Sequence, residues 1–305
     1  MGSIRIGTRK SKLALWQAEW VAKRLEDVGL TTELVTMDTK GDKILDVSIS
    51  KIGSKGVFTE ELEEKLLTGE MHIAVHSAKD MQSRLPTPFE IIAFCEREKA
   101  NDVLVSDQEL SLSGPPIIIG TSSTRRIAFL KNAYPQHTIV EMRGNLQTRL
   151  EKMRRGDCEA MMLAYAGVHR MGFTKVIKQM IDIDTFVPAV GQGSVAIEAS
   201  STLEPALKNR IVNALNHQPT ERRLMAERAY LAQMDGGCSI PVFAHSILIG
   251  DRLKIRGGII SLDGSEKIEE TLEGFDPVEL GQQLADTILK AGGDKILAEI
   301  KSQLD

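Results

Sequence analysis

The sequence predicts an α/β protein with a smaller α+β unit at its C-terminal end. Over the first two-thirds, short apolar runs such as HIAVHS, PPIIIGTSS and EAMMLAY alternate with helical stretches such as TRRIAFLKNAY and NLQTRLEKMRR. That alternation is typical of mainly parallel sheets flanked by helices. After Asn216–Pro219 the pattern changes to three strand-like runs and a closing amphipathic helix, which indicates an α+β unit of about 90 residues.

The composition of the 305-residue chain is that of a globular protein, and its length predicts two or three domains. The net charge of -4 argues against bulk nucleic-acid binding, so any positive site must be local. No apolar run approaches the roughly 18 residues that span a bilayer, and no apolar core typical of a secretory signal begins the chain. Three widely spaced cysteines fit a reduced compartment, which predicts a cytoplasmic protein without a membrane partner.

The first elements follow from local signals. Ser3–Thr8 is a short apolar strand, and Ser11 can cap the helix that follows, which Gly29 then ends. TELVTM predicts a second strand. Thr59–Leu67 predicts a helix with acidic residues in its first turn, where the helix dipole favours them.

Helix-breaking residues mark where the C-terminal helices and strands begin and end. A helix at about Ala206–Leu215 ends at NHQP, a candidate linker, and a new helix spans Thr220–Met234. Gly236 and Gly237 fit a stop for that helix. Strand-like runs follow at Ile240–Ile249, Leu253–Ser261 and Glu266–Leu272.

Two strand-to-helix junctions, GTRKSK and GTSSTRR, carry clusters of basic side chains. Free N–H groups at helix N-termini attract anions, and arginine recognises carboxylate or phosphate in bidentate fashion. Open sheets bind ligands at the carboxyl ends of their strands. A single arginine is more often a solvated surface charge, but two such junctions in an acidic chain predict an anion site. The spacing leaves carboxylate and phosphate both open as ligands.

Asp80 ends the HSAKD stretch at the carboxyl end of a predicted strand. A carboxylate among many cations stays ionised and can stabilise a cationic intermediate or manage a proton. A helix N-cap is the equal alternative for this residue. KIGSKGVF, which contains Lys55, fits a basic lid and a plain glycine-rich loop equally well. No metal-ligand constellation stands out, so no metal is predicted.

Cys238 follows two glycines and a predicted helix end. The negative end of a helix dipole does not favour a thiolate, so the sequence argues against a nucleophile that turns over. On the residues alone, a buried structural thiol is the favoured interpretation.

The combined motifs resemble those of the porphobilinogen deaminase family, also called hydroxymethylbilane synthases. The matching pieces occur in the family's order and cover essentially the whole chain. They are TRKSKLALWQA, KGD, KGVFTEELE, AVHSAKD, CERE, GTSSTRR, RGNLQTRL, LAYAGVHRMG, PAVGQG, LNH, AER and GGCSIPV.

The resemblance implies a transferase of tetrapyrrole (heme) biosynthesis. It would join four porphobilinogen molecules head to tail, release ammonia, and free hydroxymethylbilane by hydrolysis. It implies a dipyrromethane cofactor attached to Cys238 by a thioether, and Asp80 as the catalytic carboxylate that stabilises the cationic azafulvene formed as ammonia leaves. The implied cofactor-binding residues are Lys79, Ser123, Arg125, Arg126 and Arg143. The implied substrate-binding residues are Arg9, Ser11, Arg149, Arg170 and, in the lid, Lys55.

The resemblance also implies a monomer with three domains. Two are expected to be α/β domains like those of type II periplasmic binding proteins, with the chain crossing between them twice, and the third carries the cysteine. We place domain 1 at 1–95 with 191–216, domain 2 at 96–190 and domain 3 at 217–305. Two other classes explain less. A binding protein without chemistry gives no role to a positioned cysteine, and a phosphate-binding regulatory module explains neither Asp80 nor Cys238.

Four departures from the family pattern concern the surroundings of the expected site. Met81–Gln82 interrupts the usual sequence after HSAKD, and Glu60 stands where many members have lysine. Tyr165 and Phe243 are bulkier than the residues expected at their positions. Because both could narrow the space around the pyrrole chain, we expect slower turnover.

Overall fold

The first of three sheets contains the N-terminal strands. The computed structural model describes residues 2–39, 59–237 and 239–304. The five strands of this sheet are β1 (Ile4–Arg9), β2 (Thr32–Met37), β3 (Ile73–Ser77), β4 (Phe89–Phe94) and β10 (Val195–Ser200). Their order is β2-β1-β3-β10-β4. The accompanying helices are α1 (Lys12–Glu26), α2 (Glu60–Leu67) and α6 (Pro205–Leu215).

The second sheet also has five strands, in the order β7-β6-β8-β5-β9. They are β5 (Asp102–Val105), β6 (Ile118–Gly120), β7 (Thr138–Val140), β8 (Ala160–Ala164) and β9 (Ile177–Met180). Its helices are α3 (Thr124–Ala133), α4 (Leu146–Arg154) and α5 (Tyr165–Arg170).

The third sheet is antiparallel, with the order β11-β12-β13. Its elements are α7 (Gln218–Gln233), β11 (Val242–Ile249), β12 (Arg252–Ile260), β13 (Lys267–Gly274), α8 (Pro277–Ile288) and α9 (Asp294–Leu304). The predicted fold class, α/β with a smaller α+β unit, is confirmed.

The prediction of mainly parallel sheets is wrong in one respect. Strand β1 is parallel to β2 and β3, and β6 is parallel to β7 and β8. By contrast, β10 is antiparallel to β3 and β4, and β5 is antiparallel to β8 and β9. Both β5 and β10 receive the chain after it crosses from the other sheet, so no local βαβ crossover fixes their direction.

Local signals placed most helix ends well. Ser11 caps α1 as predicted, since its Oγ accepts a hydrogen bond from the Ala14 N–H at 3.3 Å. The stop of α7 differs from prediction, because Asp235 rather than a glycine adopts the positive φ of 49°. Gly236 is needed for space instead, since a Cβ there would lie 2.7 Å from the Leu231 side chain.

Each sheet forms one unit with its accompanying helices, numbered in the same order, and the apolar cores show how the three units join. One apolar cluster fills the space between the first sheet and helices α1 and α6. A second lies between the third sheet and helices α7 and α8. A third cluster includes Phe129 of α3 and Phe243 of β11, so the second and third units share apolar packing. The three sheets are consistent with the predicted division into domains, whose exact boundaries stay a prediction.

Candidate active site

Asp80 lies in a turn that directly follows β3. Ala78–Asp80 forms one turn of 3-10 helix, and the Asp80 side chain is exposed. The N-cap alternative for Asp80 is wrong, because Ser77 holds the cap position and Asp80 is the last residue of the turn. Behind the turn, the Ala78 N–H donates to the Ser194 carbonyl at 3.0 Å. The Asp80 side chain is therefore exposed, while a backbone hydrogen bond at Ala78 fixes the buried side of the turn.

The pKa of the Lys79 ammonium group depends on charged groups of both α/β units. Burial lowers its pKa to about 8, and the adjacent Asp80 carboxylate partly opposes that shift. Arg126 lowers the pKa further and Asp102 raises it, and both of these residues belong to the second unit. Lys79 is therefore within electrostatic reach of the Arg126 and Asp102 side chains of the second unit.

Arg149 on α4 belongs to the same charged group. Its Nε donates to the Gly144 carbonyl at 2.8 Å, which fixes the guanidinium near the start of the helix. Burial lowers its pKa to about 10, Arg126 and Arg143 lower it further, and Asp80 opposes them. Arg149 is consequently within electrostatic reach of the Asp80 carboxylate. Asp80 is thus within electrostatic reach of Lys79 and Arg149, and Arg143 is within reach of Arg149, whereas their roles as site residues stay a prediction.

Arg125 and Arg126 are tied to a buried partner that the sequence did not reveal. Arg125 Nη2 donates to Asp102 Oδ2 at 2.6 Å, and Arg126 Nη2 donates to Asp102 Oδ1 at 2.8 Å. Burial acts to raise the pKa of Asp102, but the two guanidinium groups outweigh it and hold that pKa well below its usual range. Direct ligand contact would have to use their remaining N–H groups, so the binding role of Arg125 and Arg126 stays a prediction.

The loop before β10 links this buried pair to the Asp80 turn. Gln192 Nε2 donates to Asp102 Oδ1 at 3.0 Å and to the Ala100 carbonyl at 2.6 Å. Gly191, at a φ of +74°, packs so closely on the turn that a Cβ would lie 2.9 Å from the Ala78 carbonyl carbon. One loop therefore contacts both sides of the candidate site.

Glu227 on α7 connects the third unit to the same loop. Its carboxylate accepts from the Gly191 N–H at 3.0 Å and from both Nη atoms of Arg97, at 2.6 and 3.1 Å. Glu227 is fully buried, and the charge of Arg97 compensates it. All three units meet around this loop.

Sequence reasoning missed the roles of Asp102, Gln192 and Glu227. Gln192 and Glu227 lie inside the matched motifs PAVGQG and AER, so a signal existed but named no partner. For Asp102, the only signal is one acidic residue at the start of the wholly buried strand β5.

Three of the remaining predicted residues, Ser11, Ser123 and Arg170, hold local structural contacts. Ser11 and Ser123 cap α1 and α3 with their hydroxyls. Arg170 donates to the Gly193 carbonyl at 2.8 Å, and its guanidinium lies 5.6 Å from the Trp16 ring centroid. Arg9 ends β1 and is half-buried. Lys55 and Cys238 lie outside the described residues.

The bulky departures occupy different environments. Phe243 is fully buried, with its ring 4.8 Å from that of Phe129, so it fills the core between two units instead of narrowing a cleft. Tyr165 stacks on His169 at 5.3 Å, and the Lys99 ammonium lies 5.4 Å from its ring. Crowding by Phe243 is therefore wrong as a cause of slow turnover, whereas crowding by Tyr165 stays a prediction.

The other two departures both concern the start of α2, since Glu60 lies there and Gln82 is hydrogen-bonded to it. Glu60 is the first residue of that helix. Gln82 Nε2 donates to Thr59 Oγ1 at 3.1 Å and to Glu63 Oε1 at 3.3 Å, which ties the segment after Asp80 to the helix.

Within residues 2–39, 59–237 and 239–304, no group of three acidic, histidine or cysteine side chains is placed to hold a metal ion. The same ranges contain no helix that is both long and apolar enough to cross a bilayer.

The fold and this site define a class of protein: a multidomain α/β protein that gathers cations around one exposed carboxylate, suited to a ligand with several carboxylates. Two family models match the chain. "Porphobilinogen deaminase, dipyromethane cofactor binding domain" matches residues 4–208, and "Porphobilinogen deaminase, C-terminal domain" matches residues 222–290. The chain belongs to the porphobilinogen deaminase family. It is accordingly a transferase of tetrapyrrole biosynthesis that polymerises porphobilinogen and uses a dipyrromethane cofactor.

Curated relatives agree over the full length. A porphobilinogen deaminase of Cytophaga hutchinsonii is 53% identical over 99% of this chain and 98% of its own. One of Desulfosudis oleivorans is 51% identical, with 98% of each chain covered. Among solved structures, the methionine-binding protein MetQ overlaps 70% of this chain and 89% of its own, at 14% identity and a TM-score of 0.43. A periplasmic domain of Bordetella pertussis BvgS overlaps 70% and 86%, at 16% identity and a TM-score of 0.42.

Proposed function

We propose that the chain joins four porphobilinogen molecules head to tail with loss of ammonia and releases hydroxymethylbilane by hydrolysis, with Asp80 as the catalytic carboxylate. The observation that supports this most directly is the placement of Asp80. Its carboxylate is exposed at a junction of the two α/β units and lies within electrostatic reach of Lys79 and Arg149. Each porphobilinogen unit carries two carboxylates, so a growing chain needs several cations near the reacting end.

The charge of the site also fits dipyrromethane, which consists of two such pyrrole units. Lys79, Arg143 and Arg149 supply positive charge beside Asp80. When bound, this cofactor supplies the primer to which porphobilinogen is added. We assign its thioether attachment to Cys238 from the GGC motif, and direct contacts to Ser123, Arg125 and Arg126 through their remaining polar groups.

In this proposal Asp80 has an electrostatic and a positioning role. A carboxylate beside the departing ammonia stabilises the positive charge that develops on the substrate, and it can accept hydrogen bonds from pyrrole N–H groups. The cations hold the acetate and propionate groups and fix the orientation of the substrate. We assign substrate contacts to Arg9, Ser11 and Arg170 as well, and a lid role to Lys55.

Two substitutions test these assignments. Asp80→Asn keeps the shape of the side chain but removes its charge, so we expect kcat to fall by about 10²-fold or more while the covalent adduct persists. Cys238→Ser should lack the adduct in an intact-mass spectrum. Asp184→Asn is the matched control, because Asp184 is an exposed aspartate paired with Arg256 of β12, and neither residue belongs to the candidate site. An Asp80→Asn protein with wild-type kcat would refute the catalytic role.

We also propose a cytoplasmic monomer. The three widely spaced cysteines support the cytoplasmic location, and the monomeric state is what the family resemblance implies. Light scattering of the holoenzyme should give the mass of one chain, and a concentration-independent dimer would contradict the proposal.

A further inference from the structure

Helix α7 lies directly before Cys238 in the sequence and beside the turn that carries Asp80. The chain leaves this helix at Gln233, five residues before the cysteine. Arg228, near the end of the helix, donates from Nη2 to the carbonyl of Gln82 at 2.8 Å and to that of Ser83 at 3.4 Å. Those carbonyls follow Asp80 by two and three residues. One guanidinium thus holds the chain just after the candidate catalytic carboxylate.

A second arginine makes the reciprocal contact. Arg84 Nη2, from the segment after Asp80, donates to the Ala232 carbonyl in the last turn of α7 at 3.2 Å. A cation at the C-terminal end of a helix is also favoured by the helix dipole. We refer to Arg84 and Arg228 together as the arginine clasp. Arg228 donates from α7 to the segment after Asp80, and Arg84 donates from that segment to α7.

Arg228 is largely buried, and the charge of a nearby carboxylate compensates its own. Burial lowers its pKa to about 10, and the charge of Glu198 on β10 opposes that shift, so the guanidinium stays charged at neutral pH. Glu198 is itself fully buried, with His76 Nε2 at 2.9 Å from its carboxylate. The segment after Asp80 therefore meets a charge-compensated arginine that cannot move freely into solvent.

Apolar packing and the clasp act at different places along α7. Leu224 of α7 lies in one buried apolar cluster with Ala78 and Met81, which joins the helix to the Asp80 turn. Further along the helix, an open groove of about 550 Å³ lies between the two segments, and both clasp arginines line it together with Leu85, Met225 and Ala232. Along this groove, the hydrogen bonds of the clasp are the polar contacts that hold the segments at their present separation.

We propose that the arginine clasp positions Asp80 relative to the end of α7, and so relative to the cofactor attached at Cys238. This inference rests on the proposed roles of Asp80 and Cys238. The reaction requires the carboxylate to reach the terminal pyrrole of a chain that is anchored on the other segment. Because a displacement of about 1 Å at reacting groups can cost 10²-fold in rate, the clasp acts on kcat.

Holoenzyme variants test the clasp. Arg228→Met keeps the length of the side chain but removes both hydrogen bonds, so we expect kcat to fall about tenfold with KM changed less than about twofold. Arg84→Met should have a smaller effect, since Arg84 is exposed. Arg228→Lys should restore part of kcat, because an ammonium can donate to one of the two carbonyls. Backbone hydrogen exchange of residues 78–85 should quicken in Arg228→Met, independently of activity.

Arg222→Met provides a matched control on the same helix. Arg222 Nη2 donates to the carbonyls of Asp251 at 2.8 Å and Phe275 at 3.3 Å, which both lie in the third unit. This variant loses the same kind of contact without touching the Asp80 turn, so its kcat and its exchange at 78–85 should match wild type.

The outcomes separate the clasp from the proposed function. Intact mass first establishes that each variant carries the wild-type adduct. Wild-type kcat and wild-type exchange in Arg228→Met would overturn the positioning role, as would an equal loss in Arg222→Met. If Arg228→Met does not fold, Arg228→Lys and Arg84→Met are compared in the same way. A wild-type rate in Asp80→Asn would instead count against the proposed function, while the exchange data would still report on the clasp.

Discussion

Lys79 is the residue of the site whose charge depends most directly on pH near neutrality. Burial lowers its pKa to about 8, so the ammonium loses its proton as pH rises through that value. If the protonated form binds substrate carboxylates, kcat/KM should fall between about pH 7 and pH 9, because this ratio reports groups of the free enzyme. Lys79→Arg keeps its charge over this range and should remove that part of the fall. Initial rates over pH in both proteins check the prediction, since titration of the substrate is common to both. Equal pH profiles would contradict it.

The residue scale also shows how far the sequence can predict the site. Residue types at the ends of β3 and β6 were enough to expect Asp80 and a cluster of arginines, because side chains near the carboxyl ends of strands meet in such folds. The partner of Arg125 and Arg126 was not predictable, since Asp102 precedes them by more than 20 positions and has no motif of its own. Long-range pairing of this kind depends on which strands become neighbours.

At the scale of elements, the loop before β10 is tightly packed against the turn that carries Asp80. Gly191 and Gly172 both adopt a positive φ, of 74° and 75°, so alanine at either position meets backbone strain of about 1–2 kcal/mol. Only at Gly191 would the added Cβ also collide with Ala78, at 2.9 Å, whereas nothing lies within 4 Å at Gly172. Backbone strain is common to both variants and the collision is not, so we expect Gly191→Ala to lower both kcat and thermal stability more than Gly172→Ala does.

Steady-state kinetics and thermal unfolding of the two glycine variants distinguish the collision from the strain. Similar kcat values in Gly191→Ala and Gly172→Ala would mean that the Asp80 turn tolerates a shift of this loop.

The positions of the helices and strands were predicted better than the direction and pairing of the strands. The alternation of apolar runs and helical stretches placed β1, α1, β2 and β3 to within a few residues. The direction of β10 could not follow from that pattern, because its neighbours β3 and β4 lie more than 100 residues earlier in the chain. Hydrophobic periodicity reports which face is buried and carries no information about the partner strand.

At the scale of the whole molecule, aromatic packing couples the second and third units. Phe129 of α3 lies 5.0 Å from Phe186 and 4.8 Å from Phe243 of β11, measured between ring centroids. Nearby, Gly264 of the third unit approaches α3 so closely that a Cβ would lie 2.5 Å from the Ala128 carbonyl oxygen. The first unit meets the third through the arginine clasp and through Leu224 of α7, which shares a buried apolar cluster with Phe94 and Ala196. We infer that the second and third units unfold as one body.

Phe243→Ala tests this coupling. Truncating a fully buried phenylalanine costs about 3–5 kcal/mol of unfolding free energy, and the loss should fall on both units that share the cluster. Hydrogen exchange of 124–133 and 252–260 should therefore quicken together. The two tryptophans, Trp16 and Trp20, both lie in α1, so denaturant unfolding followed by their fluorescence reports the first unit and should shift less. Phe275→Ala is the control, because that ring is 64% exposed and its loss should change stability by less than about 0.5 kcal/mol. Faster exchange confined to 252–260 would show that the third unit unfolds alone.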